Sequence, residues 1–283
     1  MEWQGNREST NVEDRRGGGG GRRIAGGLGI GTIIIAAVVY FLGGDPTQVL
    51  QMGSGNQVSD YQEAPSHANG VKDEGWDFAS TILASTEDVW NTEFQKIGMQ
   101  YREPRLVLFT GQTVSDCGGA HAASGPFYCP ADKQIYLDLS FFNELNRRFG
   151  VKGNFAPAYV IAHEVGHHVQ DLMGITTKIH RMRQQVSEAE GNRLSVMLEL
   201  QADFLAGYWA RRAGNLKLTE NDIRSALEAA NAIGDDKLQK ESQGYVVPDA
   251  FTHGTSEQRM EWFMRGFKAQ SLNEGNTFQQ LGS

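Results

Sequence analysis

The pentapeptide His163-Glu164-Val165-Gly166-His167 constrains this chain more than any other stretch. Ala158, Ala162, Val165, Val169 and Leu172 run through it at helical spacing, and on a helix residues four apart share a face. His163 and His167 then aim their rings at one point, where a zinc ion would meet each imidazole nitrogen at about 2.0–2.1 Å. Glu164 falls beside that point, placed to take a proton from a water on the metal. The bland alternative is two core histidines and a surface glutamate met by chance. What the motif demands of a fold is a buried helix after Asn154, broken near Gly174, facing a second element that completes the ligand set.

A catalytic zinc takes three protein ligands and keeps one position open. Glu199 is the leading candidate for the third, in Glu199-Leu200-Gln201-Ala202-Asp203. Asp203 lies four residues on, on the same face, where it can accept the free ring N–H of a ligating histidine. Ala206 and Ala210 continue that stripe, and small residues there let the two helices approach closely. Two acids on a solvated face are the alternative. Against it, Met197, Leu198, Leu200, Phe204, Leu205 and Trp209 surround them, and buried carboxylates need partners. Asp203 itself, Glu188, Glu190 and His253 compete as ligands. His168 points about 100° away around the helix and reads as structural. His67, His121 and His180 have no motif support.

The chain has 283 residues, 40% hydrophobic and 21% charged, with a net charge of −8. No basic footprint argues for nucleic acid. Residues 1–23 are polar and carry Arg15-Arg16, five glycines and Arg22-Arg23, which reads as a disordered segment. Ile24–Leu42 holds 19 residues without a charge, about 28 Å as a helix against a bilayer core of about 30 Å. A cleaved signal peptide and a buried helix are the rivals, but Gly43-Gly44-Asp45-Pro46 makes a poor cleavage site. Four arginines before the run and Asp45 after it predict a cytoplasmic N-terminus. The expectation is one transmembrane helix in a bacterial inner membrane, contacting the lipid bilayer through residues 24–42. A linker over 43–75 and a domain over 76–283 in the periplasm or outside the cell follow.

Within that domain a helix is expected over Ala79–Met99, a strand over Leu106–Thr110 and a glycine-rich loop over Ser115–Pro130. Alternation predicts a half-exposed strand at Gln134–Ser140, followed by a short helix over Phe141–Phe149. After Asn154 the chain reads as helices, including Ile175–Glu190, Arg193–Ala213, Thr219–Ile233 and Ser256–Phe267. Strands first and helices after give an α+β domain with a small sheet. Cys117 and Cys129 are the only cysteines. In an oxidising compartment they can close a loop worth about 3 kcal/mol. Two free thiols, or a second zinc held with His121, are the other readings.

H-E-x-x-H followed by E-x-x-x-D on a later helix is similar to the gluzincin type of metallopeptidase. Four stretches together resemble the bacterial neutral zinc metallopeptidase family: Cys129-Pro-x-x-x-x-Ile-Tyr-Leu-Asp, His163-Glu-Val-Gly-His-His-Val-Gln, Glu199-Leu-Gln-Ala-Asp203-Phe-Leu-Ala-Gly-Tyr-Trp and His253-Gly-Thr-Ser-Glu-Gln-Arg259. The resemblance runs from the apolar segment to about Phe267. It implies a mainly helical zincin-like domain, one zinc ion, hydrolysis of a peptide or protein substrate within its chain, and Glu199 as ligand. The last stretch also resembles the T-H-P-x-x-x-x-R element of M48-type peptidases, with Gly254 in place of the proline. That comparison puts His253 at the oxyanion, with Arg259 ordering the loop. A helix-capping role for His253 is the alternative. A substrate strand is expected to add along Gln134–Ser140.

Overall fold

A computed structural model of the chain describes residues 1–16, 72–121, 125–150 and 153–279. The apolar run 24–42 and linker residues 43–71 lie outside the described residues. Among those described, no helix is long and apolar enough to cross a membrane.

The chain's first strand, β1 (Val12–Asp14), belongs to a four-stranded sheet. Helix α1 (Glu74–Lys96) precedes β2 (Arg105–Phe109). A hairpin of β3 (Gln112–Ser115) and β4 (Gly118–His121) comes next, then β5 (Phe127–Cys129) and β6 (Gln134–Asp138). The sheet order is β1-β2-β6-β5. β1 pairs parallel with β2 and β2 with β6, while β5 closes one edge antiparallel to β6.

β1 overturns the expectation that residues 1–23 are disordered, at least through Arg16. Low hydrophobicity pointed to disorder, but the segment is held by strand pairing and polar side chains. Trp3 is buried edge-on to Phe78, and Met1 and Val12 pack against the same core. Domain residues therefore include 1–16, and α1 starts at Glu74, capped by the Asp73 carboxylate on the Trp76 N–H. Ser115–Pro130 is not all loop either, because β4 and β5 fall inside it. Cys117 and Cys129 form a disulfide that ties the hairpin to β5. This removes both the free-thiol and the second-zinc readings, and it fits an oxidising compartment.

The alternation over Gln134–Ser140 misled in one respect. Tyr136 and Asp138, expected outside, are 1% and 5% exposed. β6 is an inner strand, and Tyr136 packs with Val107, Phe109 and Cys129 on the sheet's second face. Because β2 and β5 flank it, β6 cannot accept an added substrate strand; the edge strands are β1 and β5.

The remaining helices are α2 (Ser140–Phe149), α3 (Phe155–Leu172), α4 (Ile175–Arg183), α5 (Glu188–Arg212), α6 (Glu220–Ala232), α7 (Asp235–Gln243) and α8 (Ser256–Lys268). Thr219 and Asp222 cap α6 reciprocally, at the start of the helix expected over Thr219–Ile233. The expected helix over Ile175–Glu190 is instead split. Ser187 and Glu190 form a capping box that starts α5, so Glu190 caps a helix and does not reach the metal motif. α3 is buried almost throughout and packs on α1, α5 and α6. α5 meets α8 so closely that Gly207 lies against the Phe263 backbone and Gly266 against the Phe204 backbone. A Cβ at either glycine would strike a carbonyl.

Candidate metal centre

α3 and α5 place the motif. Gly166 faces Ala202 across them, and a Cβ there would stand 3.1 Å from the Ala202 carbonyl oxygen. The small pair that permits the approach is thus Gly166–Ala202. His163, His167 and Glu199 each turn one ligand atom to a common point, all within 4.8 Å of one another. His163 Nε2 lies 3.2 Å from Glu199 Oε2, and His167 Nε2 lies 3.4 Å from Glu199 Oε1. Ligands about 2.0–2.1 Å from a tetrahedral zinc stand roughly 3.4 Å apart, and each imidazole nitrogen is already near that distance from one oxygen of the Glu199 carboxylate. The donor set fits zinc.

Each histidine is oriented through its other nitrogen. Asp203 Oδ1 lies 2.9 Å from His163 Nδ1. The carboxylate is wholly buried and also accepts from Arg259 Nε at 2.8 Å, from Arg259 Nη2 at 3.1 Å and from the Tyr159 hydroxyl. Arg259 thus supports the ligands from behind, and its Nη1 also donates to Ile233 O at 3.4 Å, two residues before Asp235. It is buried on α8 and braces Asp203, and through it His163. His167 Nδ1 lies 2.9 Å from Gln170 Oε1. The Gln170 amide donates to Leu198 O at 2.7 Å and Gln201 Oε1 at 3.1 Å, and Gln201 donates to Gly275 O at 2.9 Å. Both neighbours of the Gln170 nitrogen are acceptors, so its oxygen must face His167 and that ring must carry its proton on Nδ1. Nε2 is left free for a metal.

Electrostatics favour the charged form of each of these groups when no metal is bound. Burial disfavours a protonated His163, but Asp203 and then Glu199 outweigh it and push the ring up to about 10. Burial is likewise overcome at His167 by Glu199, and that ring is raised too. Glu199 is held well below the carboxylate range, against burial, by the charge of His167 and hydrogen bonds from both histidines. Zinc needs neutral imidazoles, so at pH 7.5 its uptake should release at least one proton, and affinity should rise with pH. Zinc titration calorimetry in buffers of different ionisation heat measures this; a buffer-independent heat would contradict it.

Glu164 is 7% exposed and is not one of the three ligand residues. Burial raises its carboxyl above the ordinary range, against the pull of His167 and His163. His253 is half exposed; its Nδ1 is 3.1 Å from Asp235 Oδ1. Asp235 Oδ2 also accepts the backbone N–H of Thr252, His253 and Gly254, which fixes the loop that carries His253. His168 is buried between Tyr128 Oη and the Arg102 carbonyl, away from the cluster.

Gln170, Tyr159 and Asp235 were absent from the sequence-derived set. Tyr159 and Gln170 sit four before His163 and three after His167, so helical periodicity alone could have found them. Asp235 begins a helix that the sequence reading did not anticipate. Gln170→Leu should weaken zinc binding by about 10–100-fold, read by competition with a chelator; unchanged affinity would remove Gln170 from the site.

Two histidines one turn apart, an acid from a later helix and a buried glutamate beside them define the zinc-hydrolase class of metal site. The chain belongs to the family described as "Putative neutral zinc metallopeptidase", whose model matches residues 1–278. It is 47% identical over 287 aligned positions to the Escherichia coli K12 protein printed as "Uncharacterized protein YpfJ", covering 98% of this chain and 99% of that one. It is 42% identical over 190 positions to Mycobacterium bovis "Uncharacterized protein Mb2605", covering 63% of each. No solved structure matches the chain.

Proposed function

We propose that the chain is an endopeptidase that hydrolyses peptide bonds at the His163–His167–Glu199 centre, on the oxidising side of a membrane. The observation that carries this reading is the convergence of one ligand atom each from His163, His167 and Glu199, within 4.8 Å of one another, beside a buried acid, Glu164, that is not a member of the set.

A zinc ion held by His163, His167 and Glu199 would supply Lewis acidity and would bring the pKa of a water toward about 7. Glu164 takes that water's proton on its carboxylate as the peptide carbonyl is attacked, and returns a proton to the leaving amine nitrogen. Asp203 and Gln170 keep the two imidazoles aligned throughout. His253, close enough to Glu199 for their charges to interact, is suited to donating a hydrogen bond to the carbonyl oxygen as negative charge develops on it. Substrate lies extended along the free edge of β5. That strand packs against α3 through Tyr128, whose ring meets His168 edge-on. A strand laid there uses backbone hydrogen bonds, which suits internal stretches of varied sequence.

The competing reading is a zinc-holding scaffold that binds peptides without cutting them. It gives no reason to bury an acid beside the centre. Digestion of a peptide library by the purified protein, with and without chelator, decides between them: chelator-sensitive cleavage inside peptides is expected, and tight peptide binding with no cleavage would favour the scaffold.

A further inference from the structure

Residues 173–187, which include α4, carry Lys178, Arg181 and Arg183 and no acid. In a chain of net charge −8 that is a local reversal of sign. All three cations are exposed, and none is ion-paired among the described residues. Cations near a helix C-terminus favour the helix itself, which accounts for Arg181 and Arg183. Lys178 stands in the first half of α4, where a cation gains nothing from the dipole. Exposed apolar surface gathers in the same region. Of the eight large apolar side chains exposed among the described residues, Met173 and Val186 flank α4, and Tyr245, Val246 and Val247 follow α7.

The two segments converge on the start of α5. α4 packs on α5, and Arg183 Nε lies 3.9 Å from where a Cβ on Gly191 would stand. At the next residue Asn192 Nδ2 donates to the Asp249 carbonyl at 3.0 Å, and Arg193 stands 3.6 Å from the Asp249 carboxylate. Gln239 Oε1 accepts the Val247 N–H at 2.8 Å, which fixes the backbone that displays Tyr245, Val246 and Val247. The chain then follows α5 toward the metal centre, for Gly254 lies against Val196 and Leu200, on either side of Glu199 in the sequence. The rise from Gly191 to Glu199 is about 12 Å, which an extended peptide covers in about four residues. Of the acids at this end of α5, Glu190 is engaged in its capping box and Asp249 faces Arg193.

We propose that this surface docks an acidic stretch of the peptide substrate, about four residues from the bond cut at the metal centre. Lys178, Arg181 and Arg183 take its carboxylates, and Tyr245, Val246 and Val247 take its apolar side chains. The rest of a chain with this net charge repels an acidic segment, so a region of opposite sign steers it. The proposal rests on the peptidase reading only in making the occupant a substrate, because docking can be measured without cleavage.

The probe is a fluorescein-labelled peptide that joins a run of aspartates to valine and leucine, beside a twin with asparagine in place of aspartate. Anisotropy follows their binding to zinc-loaded, full-length Glu164→Gln protein. The acidic peptide should bind roughly tenfold more tightly at low salt, and about 1 M salt should remove most of the difference. Combining Lys178→Gln, Arg181→Gln and Arg183→Gln should erase the preference with little change in the unfolding midpoint, since all three side chains are exposed. In a library digest by the parent protein, Asp or Glu should be enriched about four residues from the cut. Equal affinities for the twins, a preference that survives the triple substitution, or cuts without that enrichment would each overturn the proposal. So would loss, in the triple variant, of sedimentation with phosphatidylglycerol vesicles while the twins bind alike, which would make the occupant an anionic bilayer. If the parent cuts no peptide but the acidic preference is present and lost in the variant, the peptidase reading falls and the docking surface stands.

Discussion

Glu164→Gln should abolish hydrolysis while leaving zinc binding and fold intact. The amide matches the carboxylate in shape but cannot take a proton, and a positioned acid–base group is worth about 10²–10⁴ in rate. Glu164 is outside the ligand set, so zinc stoichiometry should stay at one per chain. Burial already penalises its charged form, so a neutral amide costs nothing there and the unfolding midpoint should hold or rise slightly. The raised carboxyl also suits the role, because a general base works best with a pKa near the operating pH. Cleavage by the variant at the parent rate, with zinc retained, would assign the proton transfer to another group.

The second large effect is on stability. Arg259→Met keeps most of the side chain's volume but strips the guanidinium from Asp203, which has no exposure at all. Removing one partner of a buried pair costs about 3–5 kcal/mol, because the other charge is left uncompensated. For a domain of this size that is a fall of roughly 6–20 °C in the unfolding midpoint. Zinc affinity should drop with it, since Asp203 orients His163. Adding Asp203→Asn removes the stranded charge and should recover part of the stability without recovering the affinity. A midpoint within 2 °C or so of the parent in Arg259→Met would show that solvent reaches Asp203.

The metal motif was legible because helical spacing turns sequence distance into direction. Once His163 and His167 are four apart, their rings must converge, and the same rule brought Glu199 and Asp203 to one face. Other parts were hidden for identifiable reasons. The N-terminal segment looks disordered by composition, yet Trp3 and the polar partners of Glu87 bind it through contacts between residues about 75 or more positions apart. β6 alternates like a half-exposed strand, but Tyr136 and Asp138 are covered by groups that no local pattern reveals. Arg259 was noticed through a loop motif, but its direct contact with Asp203 comes from the packing of α5 on α8, which no local pattern reveals.

The glutamine pair behind His167 carries a consequence for the order in which the molecule is made. The proton on His167 is fixed by Gln170, Gln170 by Gln201, and Gln201 by the carbonyl of Gly275. When α3 and α5 have emerged from a ribosome all three ligands are exposed, but Gly275, at the end of this relay, has yet to emerge. Arg259, which braces the other histidine, is also among the later residues to emerge. The two supports that align the imidazoles therefore arrive after the imidazoles themselves, and a nascent or truncated chain holds its metal less firmly than the finished one.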